Sequence, residues 1–333
     1  MIRSLTSVRV HKRSDDREEG AFVRDRESGG SHAEAREHVS VMSKEVLDML
    51  DLKDGQVVID ATAGRGGHSE AILKEAKVEL LSIDADEAAV IHTRERLGKL
   101  GSRAHDTKVA VGNFSDIARV AHAHGLESAD RILFDLGWNM TQLEAGRGFS
   151  FLIDEPLNMS YGAKPASGFT AAEILNTWKE SAIADALFGY GEERYARRIA
   201  KAVVARRAVA PIETTLEFVE IIKDAVPPLY RHARLHPATR SFQALRIAVN
   251  DELGVLDRGL TSAWHILNKE GKIAVITFHS IEDRAVKRLF AKWASGGHGT
   301  LLTKKPIIAS REEITHNPPS RSAKLRGITK HSI

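Results

Sequence analysis

The chain has 333 residues, 42% hydrophobic and 28% charged, enough for more than one folded unit because domains commonly run to about 100–150 residues. Cysteine is absent, which excludes disulfide staples, cysteine-ligated metals and a cysteine nucleophile. No stretch approaches the roughly 20 apolar residues that cross a bilayer, and no apolar leader with a small-residue cleavage site opens the chain, so a cytoplasmic protein without a membrane partner is expected. The net charge is only +3, but residues 191–210 carry six basic and two acidic side chains, and residues 301–333 carry seven and two. Two separated basic segments suit phosphate contacts, although ordinary solvated helix and tail surface is the plainer reading of charge alone.

Residues 1–37 hold eight basic and eight acidic residues and show no sustained apolar period, so they read as a disordered amino-terminal extension. A short amphipathic helix with Val46, Leu47 and Leu50 follows and ends at Gly55. Val57–Asp60 is a short apolar strand that runs into Ala61-Thr62-Ala63-Gly64-Arg65-Gly66-Gly67-His68-Ser69 and then a helix. Further strands are expected at Val78–Ile83, Val109–Val111 and Arg131–Phe134, with a helix over Glu87–Leu97. Short buried strands alternating with helices indicate an α/β fold with a mainly parallel sheet covered on both faces. The rhythm stops after Gly137: residues 138–168 are rich in turn formers, and helical patterns occupy about 170–230, including one from Glu192 to Arg207. A long helix starting near Thr239 carries Phe242, Leu245, Val249, Leu253 and Leu256, its successor ends at Gly271, and Lys272–Phe278 returns to strand character. The division is therefore a nucleotide-binding domain in two parts, 38–141 and 239–333 with a basic carboxyl-terminal tail, around a helical insertion at 142–238; a second independent domain is the competing parse.

A strand ending in Asp60 and followed by Gly64, Gly66 and Gly67 lets the backbone turn sharply and approach a ligand without a Cβ in the way. The helix that follows adds free N–H groups and a positive dipole end, and ligands in such folds bind beyond the carboxyl ends of strands. The segment is not a phosphate-binding loop of the Gly-Lys-Ser/Thr kind, and Ser69 occupies the last glycine position of the dinucleotide pattern. Asp84 lies 17 residues after Gly67, where a carboxylate can accept both ribose hydroxyls of a nicotinamide or of an adenosylmethionine ligand. S-adenosylmethionine, a dinucleotide and a purely structural glycine turn all stay open on this pattern. Phe114, after the third strand, can flank an adenine or anchor its loop. Asp135, at the end of the fourth, points toward a transfer site or caps the next turn.

The order of several longer motifs resembles the bacterial ribosomal RNA small-subunit methyltransferase H family. They are the Asp60–Ser69 segment, Asp135-Leu136-Gly137, Arg147-Gly148-Phe149-Ser150-Phe151, Tyr190-Gly191-Glu192-Glu193-Arg194, Phe242–Leu253, Phe278–Arg284, Leu302–Pro306 and Arg321–Arg326, so the likeness runs from about His38 to Arg326. The resemblance implies a Rossmann-like class I methyltransferase domain with an inserted helical substrate-recognition domain, S-adenosyl-L-methionine as cofactor, and N4-methylation of a cytidine in 16S ribosomal RNA within the small ribosomal subunit. It implies cofactor roles for Gly66, Gly67, His68, Asp84, Phe114, Asp135 and Gln142, to which the turn geometry adds Gly64. One region departs from the family, whose usual Val-Ser-Ser-Pro-Gln-Leu-Asp is Trp138-Asn139-Met140-Thr141-Gln142-Leu143-Glu144 here. Its usual Gly-Pro-Leu-Asp-Met-Arg is Glu155-Pro156-Leu157-Asn158-Met159-Ser160, so a carboxylate has become an amide and a cation a hydroxyl near the expected acceptor pocket.

Within that frame Asp135 is the candidate acceptor of the cytidine amine's proton, Asn158 the candidate orienter of the base, and His279 a base contact or a hydrogen-bonded strand-end histidine. Trp138 can stack on a base or pack the insertion. Arg194, Arg198 and Lys201 form one candidate phosphate-binding group, and Lys304, Lys305, Arg321, Lys324 and Arg326 a second. No metal site is expected, since His232 and His236 lack acidic or cysteine partners. A homodimer stays open, as do methylation of another RNA amine and a non-catalytic role in small-subunit assembly.

Overall fold

The apolar runs do form strands, and the pleat sorts their side chains. The computed structural model describes residues 40–137, 146–162 and 164–331; the expected amino-terminal extension, Trp138 and Gln142 lie outside the described residues. From the amino-terminal side come α1 (Ser43–Leu50), β1 (Val57–Asp60), α2 (Gly67–Glu75), β2 (Glu79–Asp84), α3 (Glu87–Gly98), β3 (Thr107–Val111), α4 (Ile117–Ala123) and β4 (Ala129–Asp135). Successive side chains of a strand face opposite ways. Val58, Leu80 and Leu133 accordingly pack with Val46, Leu50, Ile72 and Leu97 on one face of the sheet. Ile59, Leu81 and Phe134 join Ile117, Val120, Leu256 and Phe290 on the other.

The next elements are α5 (Ala171–Thr177), α6 (Glu180–Gly191), α7 (Ala196–Arg207), α8 (Thr215–Ala225), the single turn α9 (Pro228–Arg231) and α10 (Thr239–Asn250). They enclose a separate core in which Ile174, Leu187, Ile199 and Phe218 meet Phe149, Leu157 and Met159 of the preceding loop. Helix α10 brings Phe242, Leu245 and Val249 to this same core, so the cores divide after Asn250, one helix later than the 238/239 boundary expected from sequence. The long helix expected from Thr239 through Leu256 is broken there. Asp251 takes a left-handed φ of 47° and a new helix, α11 (Glu252–Ile266), sets off to bury Leu256 and Leu260 against the sheet. The expected helix over Glu192–Arg207 is also shorter: Glu192, at φ 51°, ends α6, and α7 begins only at Ala196.

The chain then completes the sheet with β5 (Leu267–Thr277), α12 (Ser280–Ser295), β6 (Gly299–Leu301), β7 (Ile307–Ile308), α13 (Arg311–His316) and β8 (Lys324–Lys330). Residues 267–271, expected to end a helix, are already strand. The strand order is β3-β2-β1-β4-β5-β8-β6, with β7 also on β8. Strands β1 to β5 pair in parallel, whereas β8 runs antiparallel to β5, β6 and β7. The carboxyl-terminal basic segment is thus a sheet strand rather than a tail. Leu325 and Ile328 are fully buried between its charged neighbours, a pattern that the count of basic residues hides.

Candidate active site

The strand order reverses direction between β1 and β4, and in open α/β sheets the crevice beyond the strand ends at that point receives the ligand. Asp60 closes β1 and is fully buried. Its carboxylate accepts the Thr62 N–H at 3.2 Å and the Ser69 hydroxyl at 2.6 Å, fixing both ends of the turn between them. Burial pushes the Asp60 carboxyl above its ordinary value, although the His68 imidazole and these hydrogen bonds pull the other way. Gly66 sits before α2 with φ 76°, and a Cβ there would lie 3.2 Å from three Thr93 atoms. A Cβ on Gly67 would fall 2.0 Å from Ser40 Oγ, so the two glycines permit the close packing of loop, α3 and the segment before α1.

Asp84 ends β2 and reaches back to this turn. Its Oδ2 accepts the Gly64 N–H at 2.8 Å and its Oδ1 the Asp86 N–H at 2.9 Å. Burial raises its carboxyl above the usual range against the pull of those two amides. An ionised carboxylate offers about four lone-pair positions, so both oxygens keep capacity for ribose hydroxyls. Phe114 opens the 3-10 turn after β3, with its ring edge-on to Phe134 at 5.7 Å; it is anchored in the sheet-side core and half-buried.

His68, in the first turn of α2, and Asp135, at the end of β4, are brought together. Nε2 of His68 lies 3.3 Å from Asp135 Oδ2, with side-chain exposures of 6% and 21%. The contact lacks hydrogen-bond geometry, and both His68 Nε2 and Asp135 Oδ1 are buried atoms without a hydrogen-bond partner. Buried orphan polar groups are rare, because each costs about 1–3 kcal/mol of lost solvation. Burial works against a charged His68, but the Asp135 carboxylate beside it, with Asp60 and Glu313, holds the imidazole above its ordinary value of 6.5. The main-chain N–H of Asp135 donates to Thr62 Oγ1 at 2.6 Å, locking the end of β4 to the glycine turn. Clasped turn, free carboxylate capacity and two unpaired buried polar atoms together fit an adenosine-type ligand with a charged group.

The other candidates are elsewhere. Asn158 lies in the loop that enters the second core, where its Oδ1 accepts the Ser160 N–H at 2.9 Å and the Ser160 hydroxyl donates to Gly162 O at 2.9 Å. His279 is the N-cap of α12: its Nδ1 accepts the Glu282 N–H at 3.3 Å while its Nε2 lies 3.0 Å from Glu282 Oε1, an assignment that places the ring proton on Nε2. Its described contacts are those of the strand-end histidine. Glu252, His279 and Glu282 offer three metal-ligand atoms within 4.8 Å of one another, but Arg246 already donates to both Glu252 oxygens, at 2.7 and 3.0 Å.

Arg194, Arg198 and Lys201 are exposed along one side of the second unit. The Arg194 guanidinium stacks over Tyr230 at 5.0 Å and Tyr195 at 5.5 Å, and Arg198 lies 5.9 Å from the Tyr195 ring. Buried Glu193 accepts the Tyr230 hydroxyl at 2.7 Å and the Tyr195 N–H at 2.8 Å, so the aromatic base of this cationic face is fixed from beneath. Lys304 and Lys305 are exposed and Arg321 is half-buried. Arg326, by contrast, is turned inward onto Asp283, with bonds of 2.6 and 3.2 Å, and Lys324 lies 3.7 Å from the same carboxylate. Sequence reasoning passed over Thr62 and Thr93, which latch the turn, and Tyr161, Arg246 and Glu252. Thr62, Arg246 and Glu252 stand within the recognisable motifs Asp60–Ser69 and Phe242–Leu253, while Thr93 and Tyr161 lie outside them and act across the fold.

Residues 35–331 match the MraW methylase family. The chain is 43% identical to the ribosomal RNA small subunit methyltransferase H of Symbiobacterium thermophilum, over 88% of this chain and 96% of that one. It is 45% identical to the protein of the same name from Synechocystis, over 88% and 93%. Among solved structures, an rRNA methylase from Streptococcus thermophilus aligns with a TM-score of 0.41 and 10% identity, over 87% of this chain and 94% of that one. The glycine turn, Asp84 and the His68–Asp135 pair all fall within the matched residues, and the chain belongs to the MraW methylase family.

Proposed function

We propose that the protein transfers a methyl group from S-adenosylmethionine to N4 of a cytidine in the 16S ribosomal RNA of the small ribosomal subunit, in the cytoplasm. The observation that carries the reading is the presence of two buried polar atoms without a hydrogen-bond partner, His68 Nε2 and Asp135 Oδ1, past the carboxyl ends of β1 and β4 and beside a turn clasped by Asp84. The names of the relatives supply the RNA.

Adenosylmethionine, when bound, supplies a methyl already activated on a sulfonium, so the protein's task is alignment more than nucleophile generation. Gly64, Gly66 and Gly67 form the turn that would seat the ligand, Asp84 would take its ribose hydroxyls, and Phe114 would flank the adenine. His68 Nε2 sits beside Oδ2 of Asp135, while the buried Oδ1 has no hydrogen-bond partner of its own. The cytidine amine has little basicity because its lone pair is delocalised into the ring. Asp135 Oδ1 would accept an N4 hydrogen and take up the proton that the amine loses on methylation, the methyl being what bound adenosylmethionine would supply. Arg194, Arg198 and Lys201, with Lys304 and Lys305, supply sequence-independent phosphate contacts. Arg326 and Lys324 are assigned to the Asp283 ion pair instead.

A second acceptor deserves its own measurement, because the Asn158 amide oxygen and the Ser160 hydroxyl are both engaged within their own loop. The decisive experiment incubates the protein with labelled adenosylmethionine and unmodified small subunits and maps the methylated nucleosides by mass spectrometry. N4-methylcytidine supports the reading. A different methylated base moves the assignment to another RNA amine, and tight cofactor binding without transfer moves it to an assembly role.

A further inference from the structure

Between the second unit and the sheet lies a buried charge cluster that the proposed chemistry does not use. Arg246 is 7% exposed on the last turns of α10 and holds Glu252, the first residue of α11, with two hydrogen bonds. The Tyr161 hydroxyl donates to Glu252 Oε1 at 2.8 Å. Arg246 Nη2 comes to 3.5 Å from the protonated His279 Nε2, so it is coupled to this end by the charge of Glu282, which pairs with His279, and not by a hydrogen bond to the ring. Glu282 in turn accepts the Phe278 N–H at 3.1 Å. Burial drives the Tyr161 phenol well above its ordinary value despite the pull of Arg246, so the hydroxyl stays a donor. The guanidinium already engages both oxygens of Glu252, one of the three groups with metal-ligand atoms here.

The two ends of this chain of contacts reach different elements, the Met159–Tyr161 loop and the end of β5. At one end Tyr161 donates its N–H to Asn250 Oδ1 at 2.9 Å, Asn250 Nδ2 donates to Met159 O at 2.8 Å, and Arg147 donates to Tyr161 O at 2.7 Å. Met159 between them has φ 57°, a left-handed conformation that a non-glycine residue keeps only where its surroundings over-determine it. At the other end His279 follows β5 directly, and β5 is paired with β4 in the register Ile276 to Asp135. The Leu136 N–H closes that register on Ile276 O at 2.9 Å.

We infer that the Tyr161–Glu252–Arg246–His279–Glu282 network positions the Asn158–Tyr161 loop against the Asp135 end of β4, and so sets the acceptor base in line with the methyl group. The inference deepens the reading above and rests on it. Tyr161, Glu252 and Arg246 are positioning residues: they touch neither ligand and act through the loop and the strand end.

Tyr161→Phe tests this most gently, because it removes one hydroxyl and leaves the ring stacked on Phe149 at 5.6 Å. On small subunits its kcat is expected to fall about tenfold, while the adenosylmethionine Kd and the RNA KM stay within about twofold, since misplacement acts on the reacting geometry and not on binding. Amide exchange in residues 157–162 should quicken by about the same factor. Arg246→Lys should keep more of kcat than Arg246→Met, and serves where Tyr161→Phe loses its fold. Wild-type kcat with wild-type loop protection in Tyr161→Phe overturns the inference, as does a loss confined to KM or Kd. If the wild-type protein itself transfers no methyl, the cytidine reading fails, and the exchange rates alone decide whether the network holds the loop.

Discussion

Gly66→Ala is the sharpest probe of the cofactor turn, because its cost follows from two structural features. Gly66 sits at φ 76°, a conformation that costs an L-residue about 1–2 kcal/mol. A Cβ there would also stand 3.2 Å from the Cα, Cγ2 and Oγ1 of Thr93. Thr93 is fully buried and donates to Gly64 O at 3.1 Å, so it cannot retreat without loosening the same turn. Crowding of that kind adds about 1 kcal/mol, for a sum of about 2–3 kcal/mol. If the turn relaxes to escape the strain, the loss falls on ligand binding, and at about 1.4 kcal/mol per decade the adenosylmethionine Kd rises about 30- to 150-fold. If the turn holds, the loss falls on folding and the Tm drops by about 2–4 °C for each kcal/mol. Calorimetric titration and a thermal melt on the same preparation separate the two. Gly101→Ala is the control: its φ is 59° but no heavy atom lies within 4 Å of a Cβ there, so it should carry only the backbone cost, about 2–8 °C in Tm, and leave the Kd alone. A Gly66→Ala protein with a Kd within about threefold of wild type and an unchanged Tm would refute the reasoning.

Three further outcomes are expected. Asp135→Asn keeps the shape of the site but removes the proton acceptor, so single-turnover transfer should slow by about 10²- to 10⁴-fold with the adenosylmethionine Kd changed only a few-fold; full transfer under chemistry-limited conditions rejects the role. Because His68 is held above its ordinary 6.5, its stabilising contribution is complete below that pH and declines as pH rises through the raised folded value. The Tm difference between wild type and His68→Gln should therefore be larger at pH 6 than at pH 8, and a gap that widens toward pH 8 contradicts the ion pair. Replacing Arg194, Arg198 and Lys201 together by Gln should weaken RNA binding and flatten the slope of log affinity against log salt by about 2–3, whereas an unchanged slope places the phosphate face elsewhere.

The parts of the site that could be read from sequence are those built by local chemistry. Asp60 and the glycine turn are contiguous, and Asp84 and Asp135 each end a short apolar run, so strand geometry aims them at one crevice, whereas the part given to His68 comes from the family resemblance alone. The break at Asn250-Asp251 could not be read this way. The apolar period of α10 continues into Leu253 and Leu256, and what interrupts it is the reach of Asn250 to Met159, ninety-one positions away in the chain. Thr93 presents the same difficulty, since an ordinary helix threonine shows its role only when α3 lies against Gly66. Charge counting misassigned the last segment for a different reason. Lys324, Arg326 and Lys330 flank Leu325 and Ile328, and the buried pair decides the conformation while the cations follow from it.

Strand β8 also orders events in time. The cofactor crevice is formed by β1, β2 and β4, but the sheet that carries it is finished by residues 324–330, which supply the antiparallel partner of β5, β6 and β7. Chains emerge from synthesis amino terminus first, at about 5–20 residues per second. The second unit, whose core is drawn from the continuous stretch Phe149 to Val249, has all its residues well before that. The interrupted sheet must wait with β5 unpaired on one edge until the last residues arrive. The second core thus has all its residues before β8 can close that edge of the sheet.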